Sequence, residues 1–232
     1  MRCKIPFFIA IATLLNYCNY LRAQENKLQN IVSVSTFSPT FSYAPRWNVG
    51  YFFKINNRFY GGIECGYGNY NITIGLGKND DDTWLTPKYK IVEFKPELLY
   101  ILNPNNNTKM FVSNEFFFLI QKDQFTNEHY NDSKTQTYYS FDSANYKRLK
   151  FGTNINFGLI INITRNIGIM PKMGIGIKFR NVEYSNILNG KEDPDYDEDD
   201  SWVPTGNNYL QNIGNNTGFN IAADIKIFYT WQ

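Results

Sequence analysis

From Phe219 to Gln232 the chain alternates with a period of two. Phe219, Ile221, Ala223, Ile225, Ile227, Tyr229 and Trp231 fall on one face. Asn220, Ala222, Asp224, Lys226, Thr230 and Gln232 fall on the other, with Phe228 the one intruder. Such a period places two different environments on the two sides of a strand. The apolar face is long enough to cross a bilayer, because a tilted membrane strand needs about 9–11 residues. The same pattern predicts eight strands, at 30–38, 46–55, 58–72, 89–102, 109–122, 147–162, 167–184 and 218–231. Asn56-Asn57, Pro104 to Asn107 and Thr164-Arg165-Asn166 read as tight turns, built from residues that turns need. Residues 73–88, 123–146 and 185–217 read as long polar connections.

Two faces do not by themselves say which points outward. Volume decides, since eight strands enclose room for side chains or one small ligand. The polar face carries Gly50, Gly62, Gly66, Gly68, Gly152, Gly158, Gly174 and Gly176, whereas the apolar face is bulky at nearly every position. Small and polar residues suit a narrow lumen, and bulky apolar ones suit lipid. The expected fold is therefore all-β: an eight-stranded antiparallel transmembrane β-barrel of up-and-down topology. It has short periplasmic turns and long extracellular loops. A soluble barrel with the faces reversed is the architectural alternative. Pro96 and Pro171 fall inside predicted strands and should weaken them locally, lacking an N–H for the ladder.

The first 23 residues are read separately. Arg2 and Lys4 precede a mostly apolar run, Ile5 to Leu15, and Ala23 offers a small residue for cleavage. This is the pattern of a secretory signal peptide, which leaves 24–232 as one barrel domain. Cys18 follows the bulky Tyr17, which disfavours a lipid-modified cysteine. Removing Arg2, Lys4 and Arg22 leaves 20 basic against 21 acidic residues, so no basic excess argues for nucleic acid. Cys65 becomes the one cysteine of the mature chain. It shares a face with Ile63 and Tyr67 and is expected to be inert against lipid.

The ending Ala23-Gln24, the segment Glu93-Phe94-Lys95-Pro96-Glu97-Leu98-Leu99-Tyr100 and the terminal strand Ala223 to Trp231 carry a resemblance. The chain resembles the small outer-membrane β-barrel proteins of the OmpA/OmpX type, in the form common among Bacteroidota. The resemblance is one of architecture, with no catalytic signature. It implies an outer-membrane location, contact with outer-membrane lipid, and folding by a barrel-assembly machinery. It implies no single activity, because one fold serves many.

Few residues suggest chemistry. His129, the only histidine, lies in a predicted loop and reads as a solvated residue. General acid–base work would require positioned partners. Asp193, Asp195 and Asp197 have the odd spacing of a calcium loop, but Glu198 stands where that loop needs glycine and no glutamate stands at its twelfth position. They are a weak metal site at most, within a charge run that ordinarily stays hydrated. No cofactor is expected.

The inward parity collects charge. Glu64, Glu93, Glu97 and Glu115 face Arg148, Lys150, Lys172, Lys178, Arg180 and Lys226 across the lumen, with Lys95 and Asp224 on the same parity. If residues 97 and 113 pair, Lys95 lies across from Glu115. This set is read as a structural network filling the lumen. The expected role is non-enzymatic, structural or surface-interacting, with a surface partner reached through 123–146 and 185–217. The alternatives are an enzyme modifying outer-membrane lipid or lipopolysaccharide, and a narrow channel.

Overall fold

A computed structural model describes residues 30–42, 44–74, 85–132, 135, 137–194, 196 and 212–231. The proposed leader and its cleavage position lie outside these residues. The strands are β1 (Asn30–Ser35), β2 (Trp47–Lys54), β3 (Phe59–Asn69), β4 (Lys90–Ile101), β5 (Thr108–Asp132), β6 (Thr137–Asn162), β7 (Ile167–Leu188), the two-residue β8 (Lys191–Glu192) and β9 (Asn212–Trp231). One helical turn, α1 (Ser38–Phe41), follows β1. Each barrel strand pairs antiparallel with its neighbours, and β9 returns to β1 through Asn30↔Trp231 to Ser35↔Lys226. The eight strands β1–β7 and β9 thus form a closed antiparallel barrel, as the alternation predicts. Where β1 and β9 pair, closure removes the sheet edge that an open array would expose.

Four sequence expectations require correction. Residues 185–188, 191–192 and 212–217, expected within a long loop, are strand. Residues 123–132 and 137–146 are strand, not loop, because β5 and β6 run on as one ladder from Thr108↔Ile161 to Asp132↔Thr137. Polar and aromatic residues mask that extension in the sequence, since both of its faces lack the apolar stripe that marks the lower strands. At the other extreme β1 stops at Ser35, three residues before its predicted end. There the chain leaves the wall as α1, with Pro39 in its first turn. Finally, the β4–β5 register pairs Glu97 with Glu115, not with residue 113. Lys95 instead faces Glu64 on β3.

The prolines act as expected. The β4–β5 register passes from Phe94↔Phe118 to Glu97↔Glu115, skipping Pro96. The β6–β7 register likewise passes from Gly158↔Lys172 to Ile161↔Ile169, skipping Pro171. In β7 the register shifts between Ser185 and Leu188, where Asn186 takes φ 53°. Asparagine tolerates this left-handed conformation better than most residues, which suits it to a bulge.

The outer surface of the wall is apolar. Val49, Phe53, Ile63, Phe94, Phe116, Phe157, Ile175 (71% exposed) and Ile225 all point outward and are exposed. On β7 the stripe runs from Ile167 to Phe179. At ~3.3 Å per residue and ~40° tilt this covers roughly 30 Å. Tyr51, Tyr229 and Trp231 stack at the short-turn end, with centroids 6.1 and 6.4 Å apart. Cys65 is exposed on the same surface.

Candidate functional site

The lumen is layered. At the short-turn end lies an apolar layer of Ile31, Phe52, Tyr60, Leu99, Ile101, Phe111, Ile160, Met170 and Phe228, all buried. Each of the eight barrel strands contributes to it. These side chains belong to the inward parity, so Phe228 is not an irregularity but part of a plug. Glycines make the room. A methyl group at Gly62 would overlap the Phe52 ring, and one at Gly168 would overlap the Phe228 ring.

Above the plug sits a charged layer. Lys172 Nζ lies 2.8 Å from Glu97 Oε2 and 2.5 Å from Glu115 Oε2. Lys226, with 0% exposure, forms an ion pair with Glu64 without a well-directed hydrogen bond. It also lies 3.9 Å from both Glu97 and Asp224. Lys95 forms an ion pair with Glu64 and lies 3.6 Å from Glu93. Neutral partners take up some of the remaining acceptor positions. Ser113 Oγ donates to Glu97 at 2.6 Å, Asn154 Nδ2 to Glu115 at 2.9 Å, and Ser35 Oγ to Asp224 at 2.5 Å. Buried charge is tolerated only with such pairing and hydrogen bonding. Lys226 Nζ also stands 5.2 Å from the Phe52 ring centroid, which joins the two layers.

Arg46 is the member that the sequence reading missed. Its guanidinium grips Glu93 through Nε at 2.6 Å and Nη2 at 2.8 Å. Burial alone would favour loss of a guanidinium's charge, but such a bidentate pair holds it. The signal was present, since Arg46, Asn48 and Gly50 share the inward parity of β2 and its approach. Asn48 Nδ2 donates to both Glu64 and Glu93, at 3.2 and 3.1 Å.

Above the charged layer a cavity of about 420 Å³ remains, lined by Phe37, Arg46, Arg148, Lys150, Asn220 and Ala222 among others. Lys150 Nζ donates to Asn220 Oδ1 at 3.0 Å and lies 5.2 Å from the Phe117 ring centroid. Arg148, Lys178 and Arg46 lie within electrostatic range of it. Four of the five cations of β6 and β7 in the sequence-derived set, Arg148, Lys150, Lys178 and Arg180, therefore belong to this upper level, and Lys172 to the charged layer below.

Beyond the apolar belt, Phe125, Phe141, Ala144, Tyr146 and Val182 form a small core, with Tyr130 and Tyr184 packed against it. Here Asp123 is buried and accepts a hydrogen bond from Thr86. Burial pushes its carboxyl up to about 6, against the lowering effect of its hydrogen bonds. Higher still, His129 is not the freely solvated residue expected. Its Nε2 lies 3.0 Å from Asp193 Oδ2, and its ring stacks on Tyr196 at 4.0 Å. Ser140 stands opposite His129 in the β5–β6 ladder. Asp195 and Asp197 lie outside the described residues. Among the described residues no group of three or more His, Cys, Asp or Glu side chains is placed to hold a metal ion.

No protein-family model and no curated protein matches the chain. Among solved structures, it is similar to a major outer membrane protein from Thermus thermophilus. That match has a TM-score of 0.42 and 10% identity, over 87% of this chain and 98% of that one. It is also similar to CarO of Acinetobacter baumannii, with a TM-score of 0.39 and 10% identity over 90% and 100%. The CarO2 structure from the same organism gives a TM-score of 0.36, again at 10% identity over 90% and 100%.

Proposed function

We propose that the chain is an outer-membrane β-barrel of closed lumen, a rigid stake that carries the β5–β6–β7 extension above the bilayer as a surface for interaction. The outward apolar belt is the observation that supports this most. Large side chains such as Ile175 and Phe157 are exposed around the wall while Glu64, Lys172 and Lys226 are buried inside it. That is the inverse of a water-soluble barrel. The extension supports the second half of the reading. It offers stacked aromatic rings, Tyr130 against Tyr139 at 5.1 Å and against Tyr184 at 5.3 Å, on a rigid ladder, and aromatic surfaces are common in recognition. In this reading the barrel folds with an assembly machinery and meets outer-membrane lipid. The role is mechanical and adhesive, with no chemical step. The test is fractionation. The protein should stay with outer membranes through carbonate and salt, and trypsin on intact cells should cut in the extension. A detergent-free soluble monomer would overturn the reading.

One arrangement favours a second reading, a hydrolase of the extension. His129, Asp193 and the facing Ser140 supply the residue types of a nucleophile, base and orienting acid. The site lies nine residues beyond Ile120 on β5, roughly 20 Å past the belt at strand rise and tilt. A bilayer lipid is therefore out of its reach. Labelling of Ser140 by a fluorophosphonate, abolished in His129→Ala, would support this reading; absence of labelling would remove it.

A further inference from the structure

Among the described residues, the wall is not sealed along its full height. β9 pairs with β1 only from Trp231 up to Lys226, and Thr36 N donates to Ile225 O at 2.8 Å as the last bond. Above Ile225, among the described residues, 214–224 pair with β7 alone. β1 has ended, and the chain has turned into the lumen, where Ser38 and Pro39 are buried. Strand geometry has a period of two. The backbone groups of Ala223, Ile221 and Phe219 therefore point the same way as those of Ile225, into this opening. Phe219 and Ile221 are 87% and 84% exposed, at the rim. The cavity reaches the rim, since Ile221, Ala222 and Phe41 line it together with Lys150 and Arg148.

This conjunction is chemically specific. Backbone groups facing hydrocarbon without partners cost several kcal/mol each, so an opening within the belt requires a polar occupant. The cavity beyond it is lined by Arg46, Lys95, Arg148, Lys150 and Lys172 beside Glu93, Glu115 and Asp224, an excess of positive charge that favours an anionic occupant. The apolar rim outside favours a chain that remains in lipid. We propose that this lateral opening binds one anionic membrane lipid from the leaflet on the long-strand side. Its phosphate enters the cavity beside Lys150 and Arg148, its glycerol oxygens face the free edge of β9, and its acyl chains lie over Phe219 and Ile221. The inference rests on the membrane reading given above.

The barrel, refolded and inserted into mixed phosphatidylglycerol–phosphatidylcholine nanodiscs, should be released into native mass spectrometry with one phosphatidylglycerol retained. Lys150→Gln should reduce retention about tenfold, the scale of one charge-assisted hydrogen bond. Ala222→Phe, which fills the opening without touching a charge, should abolish it. Lys147→Gln, on the exposed side of β6, should change nothing. Equal retention of phosphatidylcholine would overturn the proposal. So would displacement by millimolar inorganic phosphate, which would mark a simple anion pocket. Insertion without any retained lipid defeats this inference alone, whereas failure to insert defeats the membrane reading with it.

Discussion

Two layers block the same lumen by opposite chemistry. The lower one, from Phe52 to Phe228, is aromatic and aliphatic. The upper one holds Glu64, Glu97 and Glu115 against Lys95, Lys172 and Lys226. The apolar layer fills space through dispersion and exclusion of water, and it tolerates small changes of shape. The charged layer is all-or-none: a fully paired set is neutral, and a set lacking one member leaves a charge buried. The first layer thus behaves as packing, and the second as a lock whose parts depend on one another.

Breaking the lock should have the largest effect. Lys226→Ala is expected to destabilise the refolded barrel by about 3–5 kcal/mol, because it leaves Glu64 to Lys95 alone and one carboxylate of the layer uncompensated in a dry environment. Replacing both, as Lys226→Met with Glu64→Gln, should cost less than the single change. Urea unfolding in micelles, run as a double-mutant cycle, measures this. Additive losses would mean that the two residues act separately.

The packing layer should respond with a slightly smaller loss. Phe228→Ala is expected to cost about 3–4 kcal/mol through a cavity. Leu at the same position should recover much of that, since volume matters more there than geometry. No comparable rescue is expected for the charged layer, where Lys226→Met alone should remain severe. Thermal unfolding of the three variants compares the layers directly.

The outer face gives a third contrast. Ile175→Arg should cost about 2–4 kcal/mol if the site lies near mid-bilayer. The same change at Lys147, which is already exposed and charged, should be neutral within error. Folding yield into vesicles of defined thickness reports both.

The smallest effect concerns Asp123, above the lumen layers. Its folded carboxyl titrates near 6, above the ordinary value of 3.8, because it is buried. A raised value means that the folded state favours the protonated form. Its contribution is therefore fully present below pH 3.8 and is lost as the pH rises through about 6. Asp123→Asn should remove that dependence and stabilise the extension at pH 8 by on the order of 2 kcal/mol. Hydrogen exchange of 123–146 at pH 5 and pH 8 is the measurement.

The two layers are unequally legible in the sequence. Charge on an inward parity is conspicuous, so Glu64, Glu97, Lys172 and Lys226 stand out from period alone. An aromatic residue on that parity looks like noise, as Phe228 does. Only the partners from seven other strands turn it into a plug, and those contacts are non-local. The register is also out of reach. Whether Glu97 faces 113 or 115 depends on how the 102–107 turn folds, and a two-residue slip keeps every side chain on its face. The long ladder above the belt is hidden for the converse reason: no period distinguishes its two faces. His129 and Asp193 meet only because β8 pairs with β6 at Tyr139↔Glu192 and Ser140↔Lys191, a contact that no local pattern announces.

The most direct test of a membrane-spanning barrel with a closed lumen is a nitroxide scan along β9, residues 219–231, in lipid vesicles. Collision rates are measured with oxygen, which concentrates in hydrocarbon, and with a water-soluble nickel chelate. Labels at 225, 227 and 229 should collide with oxygen and not with nickel, and labels at 226 and 228 with neither. Nickel access to the outward set would contradict the membrane belt, and nickel access to the inward set would contradict the plug.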